Sequence, residues 1–175
     1  MVTATAETHL SFSVDDAWTA LGRRTTYLYF PGVTAGNRTP RGALHHALDL
    51  PIVDRQEQTA TLTVSRAGKG GRRERRFTMR GPLVTISGRW GLEPGPDGVR
   101  VQLTLDYDIA PPLKTLAVNT LRSRSPLPIR TDADAILSRA VDEFFETRFT
   151  DQARAYCERL RDALQAARPH GARRA

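Results

Sequence analysis

Few side chains in this 175-residue chain combine a reactive type with a position suited to chemistry. His46 is one. In "ALHHALDL" it shares a strand face with Leu44 and Leu48 while His45 points the other way, so the pair cannot chelate one metal ion. An imidazole on an apolar face suits either orienting a ligand carbonyl or moving a proton near neutral pH; the alternative is a structural histidine bonded to backbone. Tyr107 and Trp90 each join an apolar body to one hydrogen-bonding tip, which fits a flat hydrophobic molecule or, equally, an ordinary aromatic core. Arg148, placed at ~100° per residue, falls in the helical sector of Leu137, Val141 and Phe144. A guanidinium there would pair with a ligand carboxylate or phenolate, or else snorkel to the helix edge or meet an acid of the protein.

The stretch "SRAGKGGRRERRF" carries most of the net charge of +7: residues 66–80 hold seven basic side chains against Glu74 alone. Its glycines and Lys69 do not form a phosphate-binding loop, because no Ser or Thr follows the lysine and no helix follows the glycines. The stretch reads as a hairpin tip. On the returning strand Arg73 and Arg75 share the side of Phe77 and Met79, which brings Arg75 toward any cavity mouth. Arg72, Arg73, Arg76 and Arg80 make a basic patch open to acidic lipid headgroups or an acidic protein, or serve only to discourage edge pairing. Nucleic acid fits least, since no aromatics interleave with the arginines to stack bases.

Stronger chemical signatures are missing from the sequence: no G-x-S-x-G, H-E-x-x-H, C-x-x-C or G-x-G-x-x-G before a helix. Asp106 and Asp108 face away from the expected core, so no inward carboxylate pair forms. No metal site or cofactor is expected. With 39% hydrophobic and 26% charged residues and one cysteine, Cys157, the composition is that of a globular chain in a reducing compartment, which points to the cytoplasm.

These side chains must be positioned by a sheet. "VRVQLTLDYDI" alternates strictly, with Val99, Val101, Leu103, Leu105, Tyr107 and Ile109 on one face, which means a strand buried on one side. The same period predicts strands at Thr8–Val14, Ala43–Leu50, Thr59–Arg66 and Leu83–Leu92, and one anchored by Phe77 and Met79. Short turns such as "RGP" and "EPGPDG" make the sheet antiparallel. "DDAWTALG" predicts a short helix with an Asp N-cap and a stop at Gly22; a second helical turn covers Thr25–Phe30 and ends at Pro31. From Thr131 to Pro169 runs one long helix whose apolar side includes Phe144, Phe145, Phe149, Tyr156 and Leu160, and whose length predicts that its last turns project beyond the domain.

This order of elements, with "SFSVDDAWTALG" near the start and "LDYDIAPPLKTLAVNTL" before the last helix, resembles the SRPBCC superfamily of START-related domains, polyketide cyclases and lipid-transport proteins. The resemblance covers roughly residues 7–167. It implies an α+β helix-grip fold, a curved antiparallel sheet of six or seven strands wrapped around the C-terminal helix, with two short helices after the first strand. One such domain would occupy residues 1–168, with a disordered basic tail at 169–175.

The resemblance implies binding or transport of a small hydrophobic ligand in an internal cavity, with His46, Arg75, Phe77, Met79, Trp90, Tyr107, Phe145 and Arg148 as its candidate contacts. The alternative is a cyclase-like aromatase or dehydratase using His46 or Tyr107 for proton transfer with Arg148 steadying an oxyanion. A third reading is an adaptor meeting an acidic membrane or partner through the arginine hairpin.

Overall fold

The computed structural model describes residues 1–35, 43–50, 54–67, 73–124 and 133–167. Seven strands form one antiparallel sheet in the order β1-β7-β6-β5-β4-β3-β2. They are β1 (Val2–Leu10), β2 (Val33–Ala35), β3 (Ala43–Leu50), β4 (Asp54–Ala67), β5 (Arg73–Arg80), β6 (Val84–Gly95) and β7 (Gly98–Ile109). Strands β3 to β7 are joined to their sequence neighbours, and β1 returns to pair with β7 along its whole length, from Val2 opposite Tyr107 to Leu10 opposite Val99. Three helices, α1 (Val14–Leu21), α2 (Pro111–Arg124) and α3 (Ala133–Ala167), and a 3-10 helix (Arg24–Tyr29) complete the fold.

The alternation in β7 does what period 2 demands: all six apolar residues are buried, and Arg100, Gln102 and Asp108 are exposed. The expected strand at Thr8–Val14 is displaced. The chain leaves the sheet after Leu10, and Ser13, rather than an Asp, caps α1 by accepting a bond from the Asp16 amide at 3.0 Å, so Val14 opens the helix. The strand itself uses the earlier "VTATAETHL", whose small inward residues Ala4 and Ala6 allow α3 to lie close against it. The two-proline start of α2 reads as a helix breaker, yet proline is tolerated in a first turn, where its missing N–H has no partner to lose. Leu113 and Lys114 donate from their amides to the Ala110 carbonyl, and Leu113 and Ala117 bury its inner side.

Helix α3 packs mainly on β1 and also on β7, α1, α2 and the 3-10 helix. Val141, Phe145, Phe149, Ala153, Tyr156, Cys157, Leu160, Ala163 and Leu164 recur every three or four residues and are buried. The loosely packed end is not the one expected. Leu160, Ala163 and Leu164 are packed, whereas Ile136 is 62% exposed and the first turns bury little. The expected tail, residues 169–175, lies outside the described residues.

Two glycines reveal close approaches. Gly32, at φ 77°, faces the Ala47 carbonyl and accepts a 2.8 Å bond from the Ala47 amide; any side chain there would collide. Gly88 does more than ease bending: the Phe77 ring lies directly over it. Gly88→Ala is therefore expected to cost about 1–3 kcal/mol through overpacking. Gly91→Ala in the same strand, whose added carbon would meet only Gln102 at an ordinary 4.0 Å, is expected to be near neutral. Thermal melts of the two variants check the contrast, and equal melting temperatures would refute it.

Candidate functional site

The concave face of the sheet is the region to which the candidate residues point. Its register sorts them into rows. Arg75 lies beside Trp90, and Trp90 beside Leu103; Phe77 lies between Val64 and Gly88; Met79 lies between Leu62 and Ile86, with Tyr107 next in that row; His46 lies between Val33 and Gln58. His46 and Trp90 therefore occupy distant rows of the same face and do not make one clamp.

His46 is fully buried among Leu44, Leu48 and Ala60. Beside it stands Gln58, a residue the sequence reading did not single out. Extending the alternation of Ala60, Leu62 and Val64 one step back puts Gln58 on the inner face, and a polar residue at an inward position was the available signal. Its amide is held from several sides. Gln58 Oε1 accepts from the Leu83 and Val84 amides at 3.0 Å each, and Nε2 donates to the Val84 carbonyl at 3.0 Å. The remaining Nε2 hydrogen meets His46 Nδ1 at 3.3 Å. Gly81 makes this possible, since a Cβ there would strike the Gln58 amide. The other imidazole nitrogen, His46 Nε2, is buried with no hydrogen-bond partner among the described residues. Burial alone holds the His46 pKa down at about 4, so the ring is neutral at pH 7.

Tyr107 is committed elsewhere. Its ring stacks on Phe149 at 3.7 Å and 7°, and its hydroxyl donates to Gln152 Oε1 at 3.1 Å; Gln152 Nε2 in turn donates to the Tyr156 hydroxyl at 2.9 Å. Burial raises the pKa of both phenols, which keeps them neutral. Phe145 stacks on Phe149 at 5.6 Å. Arg148 is only half-buried, on the flank of the α3 inner face.

Trp90 and Phe77 belong to a second aromatic layer. Phe30, at the end of the 3-10 helix, stacks on Tyr156 of α3 at 4.1 Å and 17°, with Trp90 at 5.9 Å and Phe77 at 6.3 Å on its other side. Tyr27 packs against Phe30 and Phe77 and donates its hydroxyl to the Leu21 carbonyl at 3.1 Å. Its phenol pKa is raised chiefly by burial, opposed by the nearby Trp90 indole and the Arg75 charge. The indole N–H comes near that phenol without attaining hydrogen-bond geometry and has no other partner among the described residues. The 3-10 helix thus plugs the space between α3 and β5–β6. Neither Tyr27 nor Phe30 could be placed there from sequence, because two 3-10 turns are too short to carry a periodicity that says where their rings go.

Arg75 does turn inward, as its parity requires. Its guanidinium lies 4.0 Å over the Trp18 ring and against Gly22, at the C-terminal end of α1, where aromatic face and helix dipole both favour a cation. Of the basic patch, Arg73 pairs with Asp15 of α1 and Arg76 with Glu74 at 2.8 Å, while Arg80 is exposed. Arg72 and Lys69, with the rest of the hairpin tip, lie outside the described residues. No helix among the described residues is long and apolar enough to cross a membrane.

No family model matches the chain, and no curated protein matches it either. Solved structures do. TTHA0849 from Thermus thermophilus aligns over 95% of this chain and 99% of its own, with a TM-score of 0.56 at 14% identity. The di-domain ARO/CYC protein BexL of the BE-7585A biosynthetic pathway aligns over 95% of this chain and 50% of its own, with a TM-score of 0.52 at 14% identity. This chain thus spans about half of that protein. Identities this low establish architecture and no chemistry. A curved seven-stranded antiparallel sheet closed by one long C-terminal helix, an architecture shared with these structures, is the helix-grip fold that the sequence resemblance implied.

Proposed function

We propose that the protein binds a small, largely apolar molecule between the β3–β5 part of the concave face and α3. The observation that carries this reading is His46 Nε2, a buried polar atom with no hydrogen-bond partner among the described residues, in a wall of Leu44, Leu48 and Ala60. An unsatisfied buried donor costs about 1–3 kcal/mol, a cost that a bound acceptor removes. The half of the sheet that holds His46 is also the half that α3 contacts least, so it is where a helix-grip fold leaves room for a guest. In the present conformation that room is closed: Leu44, Leu48, Leu62 and Met79 are 0–7% exposed. Admission of a ligand requires side chains to give way, and the Tyr27–Phe30 plug is the piece of the wall not built from the sheet or α3.

Binding draws more support than acid–base catalysis. Tyr107 is held by Gln152 and Phe149, and His46 has one nitrogen engaged by Gln58. An adaptor role for the arginine hairpin draws less again, since Arg73, Arg75 and Arg76 all have partners within the molecule.

Native mass spectrometry of the freshly purified protein, followed by solvent extraction, tests the reading. The expected result is a species heavier than the bare chain by one small molecule, with the adduct reduced in His46→Leu. A chain that emerges empty, and whose tryptophan fluorescence is unmoved by a library of apolar compounds, overturns it.

A further inference from the structure

Resting on the binding reading above, we infer that Gln58 is the specificity-determining residue of the site. By holding His46 as an Nε2–H donor it selects an apolar molecule that presents an unionised oxygen acceptor, such as a ketone, quinone or ester carbonyl. It rejects a molecule that presents an ammonium or other N–H donor at that point.

The argument is one of hydrogen-bond arithmetic. A primary amide has one accepting oxygen and two donor hydrogens. Two backbone amides, Leu83 and Val84, both within 3.0 Å, require the oxygen of Gln58 to face the β5–β6 turn, so the amide cannot be flipped. Its nitrogen then has two hydrogens to place. One goes to the Val84 carbonyl at 3.0 Å, and the other faces His46 Nδ1 at 3.3 Å. Nδ1 must therefore accept, and the single proton of a neutral imidazole resides on Nε2, the nitrogen with no partner.

Three elements converge to enforce this tautomer: β3 supplies His46, β4 supplies Gln58, and the turn into β6 supplies the backbone groups that orient the amide. Gly81 leaves the space the amide occupies. A histidine needed only for packing would not require a glutamine anchored by three bonds behind it. Burial favours the neutral ring, with no charged group contributing, so His46 offers a ligand a dipole and not a countercharge. A carboxylate could accept the Nε2–H bond but would find no countercharge on the neutral ring to offset its lost hydration, and an ammonium would meet the donor head-on.

Two measurements test the assignment on the intact chain. Long-range proton–nitrogen correlation spectra of the histidine side chains at pH 7 are expected to show His46 protonated at Nε2 and bare at Nδ1. An Nδ1-protonated ring or an imidazolium overturns the inference, whatever binds.

The second measurement compares two matched probe pairs, fluorene with 9-fluorenone and cyclododecane with cyclododecanone, followed by tryptophan fluorescence. The ketones are expected to bind about tenfold or more tighter than the hydrocarbons, the range set by satisfying one buried donor. His46→Leu is expected to bring that ratio near one. Gln58→Glu, checked for folding by its melt, places a carboxylate that accepts from Nδ1–H, makes Nε2 an acceptor, and is likewise expected to abolish the ketone preference. Equal binding of ketone and hydrocarbon by the unaltered protein overturns this inference and leaves the binding reading standing. Binding of no member of either pair overturns this inference, and the binding reading falls with it when the purified chain is also empty.

Discussion

Phe30→Ala is expected to lower stability by about 3–5 kcal/mol, the range for emptying a buried aromatic site. For a chain of this size each kcal/mol moves the melting temperature by roughly 2–4 °C, so the melt should fall by on the order of 10 °C. The size of the effect follows from where the ring lies. Phe30 is 2% exposed and makes four ring contacts, with Tyr27, Phe77, Trp90 and Tyr156, which belong to the 3-10 helix, two strands and α3. Its removal separates layers that rigid backbone elements cannot bring back together, so the space is expected to stay open. That space is apolar and should take up benzene or indole, and saturating either should restore part of the lost melting temperature by mass action. An unchanged melt for Phe30→Ala would mean that the 3-10 helix does not plug the fold in solution.

Lowering the pH from about 6.5 to about 4 is expected to remove about 3 kcal/mol of stability through His46 alone. The sign follows from the direction of the shift. The folded-state pKa is held at about 4 by burial, below the 6.5 of a free histidine, so between these values the unfolded chain binds a proton that the folded chain refuses. The contribution is complete above pH 6.5 and is lost as the pH falls through about 4. Urea midpoints at several pH values across this window measure it, and His46→Leu should flatten the curve. The Glu7 carboxyl is lowered from 4.5, chiefly by its hydrogen bonds from Arg100, so what it contributes is present above about pH 4.5 and is lost on further acidification. A wild-type midpoint that does not move between pH 6.5 and 4 would show that His46 is not shielded from solvent.

Much of the fold was legible because its signals are local. The bounds of β3 coincide with the alternation in "ALHHALDL", and β7 differs from its apolar pattern by one residue at its start. The inward turn of His46, Arg75, Phe77, Met79, Trp90 and Tyr107 followed from parity alone, since a side chain on a strand can point only one of two ways. Where the signal was diluted the reading slipped. Alanines and threonines hid β1, two prolines hid α2, and three residues are too few for β2 to show a period.

Periodicity encodes sidedness residue by residue, and it was enough to give the helix-grip order of elements, the concave apolar face, and which candidate residues belong to it. What those residues meet is settled by packing across the whole fold. Gln58 binds His46 from the neighbouring strand while the turn into β6 orients its amide, Gln152 of α3 occupies Tyr107, and the Tyr27–Phe30 plug fills the space between α3 and Trp90. These contacts join segments far apart in the chain, and their geometry depends on how α3 and the 3-10 helix lie against the curved sheet, a relation that no local pattern of side chains records.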